Sequence, residues 1–271
     1  MSKLWTACWL AIITAAYGAE TTALPQAELR DMNALYISPY TVNAGHLQLE
    51  SYLIGYAYAH DTTNGTDTRI TIWNIAPTTA KYGLFNNVDV ELALSPYTYV
   101  RSEDRRAHVV ERARGFGDII LRAKLNLWGN DGGSTALALL PFVKFPTAQD
   151  GLGNNAFEGG LGVPVGFELP LAFWLFLSPE LSAVPKATGT GYTAAFRDVA
   201  CLWHSIIGQL SGYVEFSNWI AFDVPKDWYG TVDLGCTYMA TKNVQLDAGV
   251  LLGVTRTAPD VNPFLGFSIR F

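Results

Sequence analysis

Charge is scarce in this sequence. Asp, Glu, Lys and Arg make up 15% of its 271 residues, well below the share usual for a soluble domain. Cysteine is scarcer still, with three residues, and histidine numbers four. After residue 20 no unbroken apolar run reaches the roughly 18 residues a membrane helix needs, although 49% of the chain is apolar. These shortages exclude a helical membrane protein and a disulfide scaffold. Cys201 and Cys236, the two cysteines beyond residue 18, have no CxxC or His-linked spacing, so neither a metal nor another cofactor is expected. They are expected to stay unpaired on an apolar face, with a single disulfide in an oxidising periplasm as the alternative. The formal net charge of −6 argues against nucleic acid as a partner.

What is abundant is aromatic and small: 8 Trp, 13 Tyr, 14 Phe and 25 Gly. The apolar residues are scattered in alternation, and that alternation carries the fold. In 117–128, Ile119, Leu121, Ala123, Leu125 and Leu127 share one face, and Asp118, Arg122, Lys124 and Asn126 share the other, with Ile120 the exception. A period of two defines a strand, since a helix would mix the sets around its circumference. The pattern recurs in 46–59, 68–80, 88–100, 135–145, 157–169, 172–183, 202–211, 213–219, 228–238, 244–254 and 265–271. Each segment is near the 9–11 residues that a tilted strand needs to cross a bilayer.

The connections alternate as well. Those at 60–67, 101–115, 146–156, 184–198, 218–227 and 255–262 are long. Those at 81–87, 129–133, 169–171, 211–212 and 240–243 are short. Long extracellular loops and tight periplasmic turns belong to an outer-membrane barrel, and a soluble sandwich has no reason to show them. The expected fold is therefore all-β, a transmembrane antiparallel up-and-down barrel of about twelve strands. Its expected divisions are a signal peptide (1–18), a periplasmic segment (19–44) and the barrel (45–271). The signal peptide is read from Lys3, the apolar stretch 4–16 and the small residues Ala16 and Gly18 before cleavage, which implies export to the cell outer membrane of a Gram-negative bacterium. Cys8 lies too early for a lipoprotein.

A barrel in lipid satisfies its backbone internally and therefore closes. The apolar set then faces lipid and the polar set lines the lumen: Glu50, Asp89, Glu91, Asp118, Arg122, Lys124, Lys144, Glu158, Glu168, Glu180, Glu215, Asp233, Asp247 and Arg270, ten acidic and four basic. These either pair as a structural network or line a narrow pore. Phe116, Phe157, Trp203, Trp219, Trp228, Tyr97, Tyr99 and Tyr192 lie near strand ends, as an interfacial girdle or an apolar entry pocket. The charge-dense stretch 101–115 reads as a solvated loop with internal ion pairs or as a bridge to lipopolysaccharide phosphates. Phe267, Ile269 and the terminal Phe271 share a face, resembling the signal by which bacterial barrels meet their assembly machinery.

Several stretches resemble the MetA-pathway of phenol degradation family of outer-membrane proteins. They are Thr41-Val-Asn-Ala-Gly-His-Leu-Gln-Leu-Glu50, Gly115-Phe-Gly-Asp118 leading into 124–130, Leu140-Pro-Phe-Val-Lys-Phe-Pro-Thr147, Glu158-Gly-Gly160, 243–249 and 266–271, in that order. The resemblance implies an outer-membrane barrel that passes small molecules, aromatic ones among them. The sequence thus points to a channel for passive uptake. The alternative is a structural or surface-binding barrel with a plugged lumen. A lipid-modifying enzyme is disfavoured: of His46, His60, His108 and His204, only His204 adjoins a serine, Ser205, and strand neighbours point to opposite faces.

Overall fold

The computed structural model describes residues 29, 35–149 and 151–271. The expected signal peptide and most of 19–34 lie outside the described residues. Twelve strands form one antiparallel wall in chain order, and the last pairs with the first, which closes the barrel. They are β1 Leu47–Asp61, β2 Thr68–Ile75 and Thr78–Phe85, β3 Val88–Leu94 and Tyr97–Asp104, and β4 Val109–Gly115 and Ile119–Trp128. Then come β5 Thr135–Phe145, β6 Glu158–Gly162 and Val165–Leu169, β7 Phe173–Leu177 and Glu180–Pro185, and β8 Tyr192–Ile207. The wall finishes with β9 Leu210–Ala221, β10 Tyr229–Thr241, β11 Val244–Gly253 and β12 Val261–Arg270. Among the described residues no helix is long and apolar enough to cross a membrane.

Five strands are interrupted in mid-course, and four of the breaks hold a proline: Pro77, Pro96, Pro164 and Pro179. A proline cannot donate to the ladder, so the hydrogen-bond pattern lapses there while the strand continues. The carbonyl side stays in use, as where Tyr52 N donates to Pro77 O at 3.1 Å.

The strands outrun the sequence reading in four places, one of them the loop expected at 218–227, which starts only after β9 ends at Ala221. The stretch 101–115 is a hairpin rather than a loop, with β3 running to Asp104 and β4 starting at Val109. The stretch 184–198 shrinks to 186–191 because β8 begins at Tyr192, and the turn at 81–87 shrinks to Asn86-Asn87. In the 101–115 hairpin, which rises beyond the apolar band, both faces of the strands are wet, so alternation fades though pairing persists. The turn between β8 and β9 is Gly208-Gln209, not Ser211-Gly212. Gly208 holds φ 57°, a left-handed conformation that suits glycine at a tight hairpin turn.

The apolar set expected toward lipid is outside. Leu53, Leu121, Leu161, Leu181, Val214, Leu234, Leu246 and Leu265 are all exposed on the wall. Cys236 is exposed there too, but Cys201 is buried on the lumen side, so the two unpaired cysteines do not share an apolar face.

Candidate functional site

The lumen is occupied by the chain itself. Residues 35–43, part of the stretch assigned from sequence to the periplasm, run inside the wall just before β1. Their backbone makes no continuous ladder with it. They hang on wall side chains instead. Near the turn end, Val42 N donates to Asp89 Oδ2 at 2.9 Å and Thr41 N to Asn130 Oδ1 at 3.0 Å. Further in, Lys124 Nζ donates to Tyr40 O at 3.0 Å and Asn126 Nδ2 to Pro39 O at 2.8 Å. Ser178 Oγ both accepts from Ile37 N and donates to Ile37 O, each at 2.9 Å. At the inner tip, the Glu215 carboxylate accepts from Leu35 N and Tyr36 N, both at 3.1 Å, and Arg197 donates to Leu35 O at 3.1 Å.

The segment enters past Gly83. Gly45 N donates to Gly83 O at 2.8 Å, and Gly83 N to His46 O at 3.0 Å. A Cβ on Gly83 would lie 2.1 Å from Asn43 O, so only glycine lets the segment pass this close. Gly83→Ala is expected to push residues 42–44 off the wall while leaving the barrel closed. Faster proteolysis of the amino-terminal segment of the folded variant, with an unchanged barrel core, is the readout.

Around the segment, the charged side chains form pairs. Glu50 meets Lys81 at 2.7 Å, and Glu91 meets Lys124 at 3.1 Å and Arg122 at 3.8 Å. Lys144 bridges Asp118 at 3.2 Å and Glu158 at 2.8 Å. Asp233 instead faces a like charge, Glu215, across β9–β10, while Glu180 faces Arg197 across β7–β8. Asp247 accepts from Gln245 at 2.7 Å, and Arg270 donates to Asn243 at 3.1 Å. Glu168 is exposed at the turn end of β6, away from these pairs. The sequence reading missed two lumen cations, Lys81 and Arg197, because it placed one in a turn and the other in a loop. Added to the residues named from sequence, they make six basic side chains beside the ten acidic ones.

The lumen is also less polar than alternation implied. Phe176 stacks on Tyr36 at 4.8 Å and on Trp174 at 5.7 Å, Tyr40 meets it edge-on at 6.3 Å, and Tyr52 lies 4.6 Å from Phe264. Val199, Cys201, Tyr213 and Leu251 complete this cluster, with Trp203 packed against it. Inward apolar residues were invisible from sequence because a buried core and a lipid face favour the same side chains. Trp203 and Trp219 face inward, while Phe157, Tyr97, Tyr192 and Trp228 are exposed, so the expected aromatic entry pocket is not gathered in one place. Beside the segment a cavity of about 250 Å³ remains, with Leu35, Tyr36 and Ile37 on one side and Glu50, Lys81, Glu91 and Arg122 on the other.

The histidines are dispersed. His60 pairs with Asp67 at 2.8 Å, His204 stacks on Phe173 at 4.2 Å, and His108 is at the tip of the β3–β4 hairpin. At the closing seam, Phe271 N donates to Leu47 O at 2.8 Å while the Phe271 ring stays exposed.

A closed twelve-strand wall with an oily exterior and a charged and aromatic interior defines an outer-membrane β-barrel. The family model for the MetA-pathway of phenol degradation matches residues 35–175, and this chain belongs to that family. The matched stretch starts with the lumenal segment. An outer membrane channel from Pseudomonas putida F1 is similar over 90% of this chain and 100% of its own, with 14% identity and a TM-score of 0.65. The beta domain of the Bordetella autotransporter BrkA is similar over 84% of this chain and 100% of its own, at 13% identity and a TM-score of 0.51. The NanC porin covers 82% of this chain and 98% of its own, at 8% identity and a TM-score of 0.50. Among curated proteins, none matches this chain.

Proposed function

We propose that this barrel is a channel for passive uptake of small molecules, hydrophobic and aromatic compounds included, and that residues 35–43 gate it. The observation that carries the reading is how the segment is held. Side-chain hydrogen bonds, each worth about 0.5–1.5 kcal/mol net or about 1.5–3 kcal/mol to a charged group, can be exchanged for water one at a time. A plug built into the sheet ladder could not leave so easily. The cavity beside the segment has an apolar side and a charged side, which suits a small amphipathic solute. The aromatic cluster offers flat surfaces along the same route. The similar protein from Pseudomonas putida F1 is described as an outer membrane channel, which agrees with this reading.

The experiment is liposome swelling and planar-bilayer recording with the mature chain, using phenolic, sugar and amino-acid solutes. Small, flickering conductance with swelling by small solutes is expected. A bilayer that stays sealed at every voltage, with no swelling by any solute, overturns the channel. A second reading, a structural barrel whose lumen is permanently filled, draws on the number of bonds that hold the segment, and it predicts that sealed result. Glu215 gives a finer test. Glu215→Ala removes both bonds to the segment's inner tip and is expected to raise the open fraction about ten- to hundredfold. Single-channel recording reads the change. An unaltered open probability would detach Glu215 from gating.

A further inference from the structure

We propose that the outward face of β1–β4, at the extracellular end, binds the phosphates of lipid A in the outer leaflet. Six of the eleven arginines in the chain lie between residues 69 and 114. The strand register gathers four of them on one side of the wall. In one row Tyr58, Thr71, Arg101 and Arg112 are consecutive partners across the four strands. The row above holds His60, Arg69, Glu103 and Val110, and the row below holds Tyr56, Trp73, Tyr99 and Arg114. Beneath them come Ile54, Ile75 and Tyr97, all exposed on the lipid side of the wall.

Arg101 lies directly opposite Arg112. Like charges facing each other across two strands repel, and a sheet tolerates them better when an anion sits between. The wall supplies little. Glu103 pairs with Arg101 at 2.8 Å, and Asp67 is taken by His60 at 2.8 Å and Arg105 at 3.4 Å. Hydrogen bonding from His60 holds the Asp67 carboxyl below its ordinary range, so it stays a charged partner for those two. Asp104 and Glu111 alternate to the inner face, with Thr68 and Ser102 as their partners. Among the described residues Arg112 and Arg114 have no carboxylate partner. Four guanidinium groups against one carboxylate leave this face basic on a chain that is acidic overall.

Its height on the barrel identifies the partner. Tyr56 and Trp73, with ring centroids 4.7 Å apart, belong to the aromatic belt that marks the border of the hydrocarbon. The arginines stand at that level and the next two rows up, where the phosphates of an outer-leaflet glycolipid lie. Guanidinium forks match phosphate oxygens two at a time. Directly below, an open groove of about 430 Å³ between Pro96, Tyr97, Arg114, Gly115, Phe116 and Gln149 offers an apolar seat for the attached acyl chain. A soluble anionic protein would have no use for that groove.

The test is native mass spectrometry of the full mature barrel in detergent, titrated with diphosphoryl lipid A, dephosphorylated lipid A, phosphatidylglycerol and inorganic phosphate. Diphosphoryl lipid A is expected to bind stoichiometrically, and the double variant Arg112→Gln/Arg114→Gln to weaken it at least about tenfold. The lysine pair Arg112→Lys/Arg114→Lys should recover part of the loss, and single-channel conductance should not change in either. Equal retention of lipid A by wild type and the glutamine variant, shown folded by heat-modifiable electrophoresis, overturns the proposal. Equal affinity for the dephosphorylated form overturns it too, as does equal arginine-dependent binding of phosphatidylglycerol or free phosphate.

Discussion

Deletion of residues 19–43 is expected to turn a nearly closed pore into an open one, with single-channel conductance rising about tenfold or more. The wall does not need the segment for closure, because β1 begins at Leu47 and pairs with both β2 and β12. Glu215, Asp89, Asn126 and Lys124 would lose their bonds to the segment and exchange them for water admitted by the deletion. The segment also contributes Tyr36 to the aromatic cluster, so its loss widens the lumen where the wall is most apolar. Swelling rates for solutes that the full chain excludes should increase in parallel. Conductance that stays at the level of the full chain would mean that the wall side chains, not the segment, set the constriction, and the gating proposal would fail.

The second large effect is on stability. Lys124 is fully buried and lies 3.1 Å from Glu91, which is itself buried, and opposite buried Asp89 in the β3–β4 register. Its ammonium also reaches Tyr40 O at 3.0 Å. Lys124→Met keeps the length and apolar bulk of the side chain but leaves two carboxylates without their central cation. Removing one partner of a buried pair costs about 3–5 kcal/mol, because the charge left behind has lost its hydration without compensation. Heat-modifiable electrophoresis should show Lys124→Met unfolding at a clearly lower temperature than the wild type. Adding Glu91→Gln should restore part of the loss, because it removes the orphaned charge. Equal unfolding temperatures for the wild type and Lys124→Met would show that this network does not hold the barrel together.

Ile119, Leu121, Leu125 and Leu127 declared their strand and its lipid face because alternation is local: neighbouring side chains on a strand point oppositely whatever else the chain does. Lys124 and Glu91 declared the lumen side for the same reason, but not that they would meet, since that depends on the β3–β4 register. Lys81 and Arg197 were hidden by a misplaced turn and an overlong loop. Phe176 and Phe264 carried no signal, since an aromatic side chain suits lipid and a packed interior equally well. The Arg101–Arg112 opposition was illegible while 101–115 read as a loop.

From its sequence alone, then, this chain determined its strand number, the two faces of the wall, the long and short ends and the family resemblance, all properties of residues close together in the chain. Only the tertiary structure decided that residues 35–43 fill the lumen, that aromatic rings share the interior with ion pairs, and that four arginines line up on the outer face. Each of these joins residues far apart in sequence, as Leu35 and Glu215 are, and such contacts exist only once a closed ring of strands sets which side chains stand opposite one another.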